Sequence, residues 1–312
     1  MTLADIYVTN VRTYKAKKIL SNILLYAFLA IIAIIILLPF YWMILSSLKS
    51  TVQLEQIPPI LFMSPSDWKI TNYTDLFVLV QSGQRAGEPL FPFFTYMKNT
   101  VVVSIITTAG TTITTILAAF AFARLNFKGR DILFAILLGT MMVPGEIFIL
   151  TNFVTVYKLG WYSILDQSYL DVVLAMTIPF MTSVFYIFYL RQTFKQIPNE
   201  LYYAAKVDGT TDFKYLLKVM IPIAMPTIIT IVILNSMGAW SAYIWPALIA
   251  CEDEYRLVSN GLRGAFTDTS TGRTDYGQQM AASVLVTLPL LLLFFVFRKQ
   301  IMRGVSRSGI KG

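Results

Sequence analysis

Charge-free apolar intervals divide this chain. No charged residue falls between Lys18 and Lys49, or over residues 99–123, 172–190, 219–251 and 276–297. Each interval approaches or exceeds the ~20 residues with which a helix crosses a hydrocarbon core. A sixth stretch, roughly 132–156, is apolar but interrupted by Glu146. The pattern predicts an all-α polytopic membrane protein with six transmembrane helices, since a backbone in lipid must satisfy its own hydrogen bonds. The expected layout is an N-terminal segment 1–19, a six-helix membrane domain 20–298 and a tail 299–312. The first span starts deep and lacks a small-residue cleavage site, so it reads as an uncleaved anchor.

Composition agrees. Hydrophobic residues make up 56% of the chain and charged residues 13%, against ~25% charged in a soluble domain. Mean hydropathy is +0.65. With no histidine, Ser-His hydrolases, His-ligated metals and His proton relays are excluded. The single cysteine, Cys251, excludes an internal disulfide or a Cys-cluster metal site.

The net charge of +8 is explained by its placement. With both termini cytoplasmic, the inner segments hold seventeen of the 25 basic residues, among them Lys17, Lys18, Arg124, Lys128, Arg130, Arg191, Lys195 and Arg298. This is the positive-inside pattern of a plasma-membrane protein. No basic run interleaves with aromatic residues on a soluble face, so no nucleic-acid partner is expected. The outer loops, about 49–96 and 251–275, are long. They are either solvated connectors or a docking surface for an external partner.

The most distinctive inner segment is Gln196-Ile-Pro-Asn-Glu-Leu-Tyr-Tyr-Ala-Ala-Lys-Val-Asp-Gly209. Asn199 is placed to cap a short helix, Glu200 lies in its first turn where the dipole favours a carboxylate, and Gly209 suits its left-handed stop. Thr210 or Thr211 then caps a second helix running toward Pro222 and Pro226. A ten-residue helix is unstable alone and must be held by packing. Ala204 and Ala205 let another surface approach closely. Asp208 in the last turn opposes the dipole, so helix stability does not explain it. Two readings stand: an interfacial loop packed on its own spans, or a docking element.

Pro198 to Gly209, with Phe213, Pro222 and Pro226, resembles the EAA loop of ABC-importer membrane subunits, here about residues 196–217. Ala204 and Ala205 match the alanine pair, and Asp208 and Gly209 match the Asp-Gly. Tyr203 stands where the family has glutamate, with Glu200 three positions before it. Ala118 to Leu125 with Phe127, Gly129 and Arg130 is similar to the carbohydrate-importer permeases of the MalG-like family. So are Met142-Val143-Pro144, Leu159-Gly160, Trp240 with Trp245-Pro246, and the ending Gly304 with Ser308 to Gly312. The resemblance implies a six-span permease paired with a second homologous permease, two cytoplasmic ATPase subunits and an external solute-binding protein. Glu200, Tyr203, Ala204, Ala205, Asp208 and Gly209 are then the ATPase-coupling residues. The chain has no Gly-x-x-x-x-Gly-Lys-Ser/Thr loop, so ATP and Mg are expected on the partner, and this subunit is expected not to be an enzyme or to bind a cofactor.

For a sugar or oligosaccharide path the polar and aromatic candidates are Glu146, Asn152, Asn235, Ser236, Trp240 and Tyr243. Each is equally a helix-packing residue. Glu146, after Pro144 and Gly145 at an expected kink, either meets sugar hydroxyls or lies at the outer interface. An ion-coupled secondary transporter needs paired broken helices and intramembrane acids; Glu146 is the one acid in a predicted span. An ABC permease for a non-carbohydrate solute is the other alternative.

Overall fold

The computed structural model describes residues 3–78, 91–266 and 274–306, and among them no β-strand forms. The apolar intervals become helices, in chain order α1 (Leu3–Ser47), α2 (Thr51–Glu55), α3 (Thr71–Thr74), α4 (Phe93–Arg124), α5 (Arg130–Thr140), α6 (Phe148–Lys158), α7 (Tyr169–Thr177), α8 (Val184–Gln196), α9 (Asn199–Val207), α10 (Asp212–Tyr215), α11 (Ile221–Trp240), α12 (Ile244–Ile249), α13 (Val258–Gly264) and α14 (Tyr276–Ser306). Four stretches cross as continuous helix: Lys17–Ser47, Phe93–Arg124, Asp212–Trp240 and Tyr276–Arg298. Two more are bent pairs, Arg130–Thr140 with Gly145–Lys158 at 84° and Tyr169–Phe180 with Val184–Gln196 at 51°. Counting each bent pair as one span makes six.

The bend at Pro144–Gly145 is the expected one. The bend after Pro179 is not legible locally. A broken helix frees carbonyls that lipid cannot satisfy, and here α4 supplies the donors. Thr111 Oγ1 donates to Phe180 O at 2.9 Å and Thr114 Oγ1 to Met181 O at 2.6 Å.

Helix ends differ from the charge-free intervals at three places. α1 runs unbroken from Leu3 into the first span. The fifth apolar interval does not stay helical to 251: α11 stops at Trp240, a three-residue break follows, and α12 turns Trp245 inward, its Nε1 donating to Ala175 O at 3.0 Å. The last helix continues beyond 298 to Ser306.

The chain divides into two compact units. The first holds residues 1–76 and 267–285. Its described loop is folded rather than a solvated connector. Asn72 Nδ2 donates to Ser47 O at 2.9 Å and Lys49 O at 2.8 Å, receiving carbonyls at the end of α1. Lys49 is buried, donating to Ile60 O at 2.7 Å with its ammonium 4.4 Å from the centre of the Trp42 ring. Gly277 is required there: a Cβ on it would stand 2.7 Å from Asn72 Nδ2 and 2.9 Å from Lys49 O.

The second unit holds residues 77–266 and 286–312, built on α4, α8 and α11. One core, near the α9 end, joins Ala119 and Phe120 to Leu190, Phe194, Tyr215, Met220 and Ile228. At the other end of α4, Val103 packs with Val172, Met176, Trp245, Ile249 and Leu257. The described part of 251–266 is pinned to α4, with Asn99 Nδ2 donating to Glu254 O at 2.7 Å and Val258 N to Thr100 Oγ1 at 3.0 Å. Residues 79–90, 267–273 and the tail 307–312, with Ser308 to Gly312, lie outside the described residues.

Candidate coupling site and membrane cavities

The segment after α8 folds as the helix its sequence predicts. α9 covers Asn199–Val207, and its stop is a Schellman motif. Gly209 sits at φ +71°, its N–H donates to Lys206 O at 3.0 Å, and Thr210 N–H donates to Ala205 O at 2.8 Å. Thr211 caps α10, accepting from Lys214 N.

The start of α9 differs from expectation. Pro198, not Asn199, occupies the N-cap position, and no side chain caps the helix. Asn199 Oδ1 instead accepts from Arg124 Nη1 at the end of α4. A cap reading considers only local donors and cannot see an arginine 75 residues away.

Packing then divides the motif. Tyr202 and Ala205 lie against the core of α8 and α10, and Tyr202 meets Tyr215 edge-on with centroids 5.1 Å apart. Tyr202 OH donates to Asp212 Oδ1 at 2.7 Å and Lys206 Nζ pairs with the same oxygen at 2.8 Å. Lys206 is therefore exposed but paired. The hydrogen bond to the Asp212 carboxylate holds its ammonium above the usual lysine range. Burial, then the bond to Asp212, pushes the Tyr202 phenol up. Stability from a raised lysine pKa is complete below the unfolded value of about 10.4, so this triad is in place throughout the neutral range.

No residue of α9 is fully buried. Glu200, Tyr203, Ala204, Asp208 and Gly209 are exposed, and Leu201 and Val207 join them, Val207 at 88%. The alanine pair is thus split between two faces: Ala205 toward the protein's own core, Ala204 outward. Leu201 and Val207 were missed by sequence reasoning; their signal was the i, i+3, i+6 spacing with Ala204.

The candidate path residues do not converge. Asn235 lines a cavity of about 200 Å³ with Thr107, Met176, Phe180 and Trp245. Within its walls Asn235 Nδ2 and Thr107 Oγ1 are buried without hydrogen-bond partners. Ser236 and Trp240 face a different groove of about 770 Å³ along α4, α11 and α14, lined also by Ser104, Thr108 and Thr112. There Trp240 Nε1, Ser104 Oγ and Thr112 Oγ1 lack partners, while Ser236 Oγ donates to Val232 O at 2.7 Å. Glu146 is exposed at the bend of the third span, Asn152 is on α6 and Tyr243 precedes α12; none of the three lines either cavity. The hydroxyl-rich face of α4 went unnoticed, although threonine recurs through 107–115 within a charge-free span.

Residues 110–307 match the family described as the binding-protein-dependent transport system inner membrane component. The inner membrane ABC transporter permease protein YcjP of Escherichia coli (strain K12) is 29% identical over 296 residues, covering 95% of this chain and 99% of that one. The arabinooligosaccharides transport system permease protein AraQ of Bacillus subtilis (strain 168) is 29% identical over 291 residues, 93% and 96% of the two chains. The trehalose/maltose transport system permease protein MalG of Thermococcus litoralis is 29% identical over 296 residues, 95% and 99%. In structure, a chain of a bacterial ABC transporter involved in import of the acidic polysaccharide alginate superposes with a TM-score of 0.73 at 21% identity, covering 91% of this chain and 97% of that one; this likeness establishes the fold. A family match over well more than half the chain and the EAA-like segment on its own helix converge: this multi-pass membrane chain belongs to the inner-membrane components of binding-protein-dependent ABC transport systems.

Proposed function

We infer that this permease forms half of the translocation pathway of an ATP-driven importer for a sugar or oligosaccharide, and that α9 is where the ATPase grips it. The observation that carries the coupling assignment is the outward face of α9. Tyr203 and Val207, one turn apart, are 63% and 88% exposed on a helix otherwise tied down by Tyr202, Lys206 and Asn199. An apolar face on a rigidly held short helix suits insertion into a groove of another protein. A homologous permease, two ATPase subunits carrying ATP and Mg, and an external solute-binding protein complete the assembly. Carbohydrate as substrate rests on relatives named for arabinooligosaccharide and trehalose/maltose transport. One relative, 26% identical and named for sn-glycerol-3-phosphate transport, favours a second reading with a non-carbohydrate solute.

The test is co-expression with the second permease and the ATPase, followed by uptake of labelled maltose, trehalose, arabinooligosaccharides, alginate oligosaccharides and sn-glycerol-3-phosphate in reconstituted vesicles supplied with the solute-binding protein. A stable complex with two ATPase subunits and uptake of a carbohydrate is expected. Failure to retain the ATPase overturns the coupling role, and uptake of glycerol phosphate alone overturns the carbohydrate assignment.

Both termini and α9 lie in the cytoplasm on this reading, which the basic-residue bias supports. In a Cys251→Ser background, Ser66→Cys is expected to react with a membrane-impermeant maleimide in intact cells. Lys128→Cys is expected to react only after permeabilisation. Both positions are exposed. The reverse pattern inverts the orientation.

A further inference from the structure

Two buried arginines cross between α4 and α8 where these helices meet α9. Arg124, the last residue of α4, is 8% exposed, and Arg191 of α8 is 6% exposed. Arg124 Nη2 donates to Phe194 O at 2.8 Å and to Ile197 O, carbonyls at the end of α8, of which Phe194 O also accepts from Ile197 N at 3.3 Å. Those carbonyls form the negative end of the helix dipole, so a cation is stabilised there without a carboxylate. Arg191 reciprocates: its Nε donates to Phe122 O of α4 at 3.1 Å, with its guanidinium carbon 3.7 Å from the centre of the Phe134 ring. Because these acceptors are mainly backbone, the two helix ends are tied to one another directly.

Arg124 also reaches forward. Its Nη1 is the donor to Asn199 Oδ1. Among the described residues, the side-chain hydrogen bonds of α9 run in two directions: Tyr202 and Lys206 to Asp212 at the foot of the fifth span, and Asn199 to Arg124 at the end of the second. Asn199 has no capping duty, since Pro198 holds the N-cap position. We propose that the Asn199–Arg124 contact is the link by which a displacement of α9 is carried into the second span, α4, and through the crossed arginines into the α4–α8 pair. Asn199 is a positioning residue in this role. The proposal rests on α9 being the ATPase-contacting helix.

Asn199 is exposed, so its truncation opens no cavity, and alanine has the higher helix propensity. Truncation does leave Arg124 Nη1 without its acceptor, so a merely structural role predicts faster exchange in both nucleotide states, not a selective loss of the nucleotide response at 119–124. The experiment is hydrogen–deuterium exchange on the complete importer in nanodiscs, nucleotide-free against ATP plus vanadate. In the wild type, exchange should change in peptides covering α9 and in those covering 119–124. In Asn199→Ala the α9 change should persist while the 119–124 change falls at least about twofold, the lower range for a single coupling contact. Asn199→Asp keeps an acceptor facing Arg124 and should restore it. A wild-type response at 119–124 in Asn199→Ala, or no restoration by Asn199→Asp, overturns the link and leaves the docking role standing. No nucleotide response at α9 in the wild type overturns the docking role and the link together.

Discussion

Val207→Asp is expected to strip the ATPase from the complex while leaving the permease folded. Val207 is 88% exposed and extends from the last turn of α9, away from the Tyr202 and Ala205 contacts that hold the helix. The isolated subunit therefore has no packing to lose at this position. In the groove the balance reverses. Full burial of a valine contributes roughly 1.5–3 kcal/mol, and an aspartate there is a desolvated charge without a partner, next to Asp208. Together these predict at least about a hundredfold weaker docking, in the range of interface hot spots. ATPase retention on affinity-purified permease, titrated against ATPase concentration, measures it, with tryptophan emission of the detergent-purified permease as the folding control. Undiminished retention would move the docking surface off this face of α9.

The spans could be read in the sequence because their signal is a cost. A charge at the bilayer centre is unfavourable by a few kcal/mol, so intervals free of Lys, Arg, Asp and Glu locate the spans, though not their ends: α1 begins at Leu3 and α11 stops at Trp240. Local backbone chemistry was equally legible: Pro144–Gly145 bends the third span, Thr211 caps α10, and Gly209 ends α9 in the left-handed region. What escaped depends on residues distant in the chain. The bend between Phe180 and Val184 is tolerated because Thr111 and Thr114 of α4 meet the freed carbonyls. Asn199 reads as a cap until Arg124 claims its oxygen. Ala204 and Ala205 are indistinguishable until Tyr215 sets which side of α9 is inward. The substrate-path candidates fared similarly, since Asn235 and Trp240 lie on one helix but open into separate spaces. Periodicity names the helix, whereas its neighbours decide which side chain meets which cavity.

Gly209 offers a test in which sterics and backbone conformation separate. Its φ is +71°, and a Cβ added there would find nothing within 4 Å. Crowding within this chain therefore cannot account for any effect, which leaves the left-handed conformation or bulk against a docked partner. For valine that conformation is unfavourable by roughly 1–2 kcal/mol, and relief would come from unwinding the Schellman turn that joins Lys206 O and Ala205 O to the chain beyond. The exit of α9 would then swing relative to Asp212, which anchors Tyr202 and Lys206. Gly209→Val should lower ATPase retention and uptake about five- to thirtyfold, the factor corresponding to that strain. Gly209→Asn, with a side chain that tolerates the left-handed region, should keep most of both. Ala205→Trp should fail more severely than Gly209→Val, because Ala205 is packed on the core and an indole there lifts the whole helix. Retention and uptake measured side by side in the three variants give the order Asn, Val, Trp from least to most impaired. Equal loss in Gly209→Asn and Gly209→Val would mean that the backbone hand at residue 209 is not what aligns α9, and that side-chain bulk in a closed interface is.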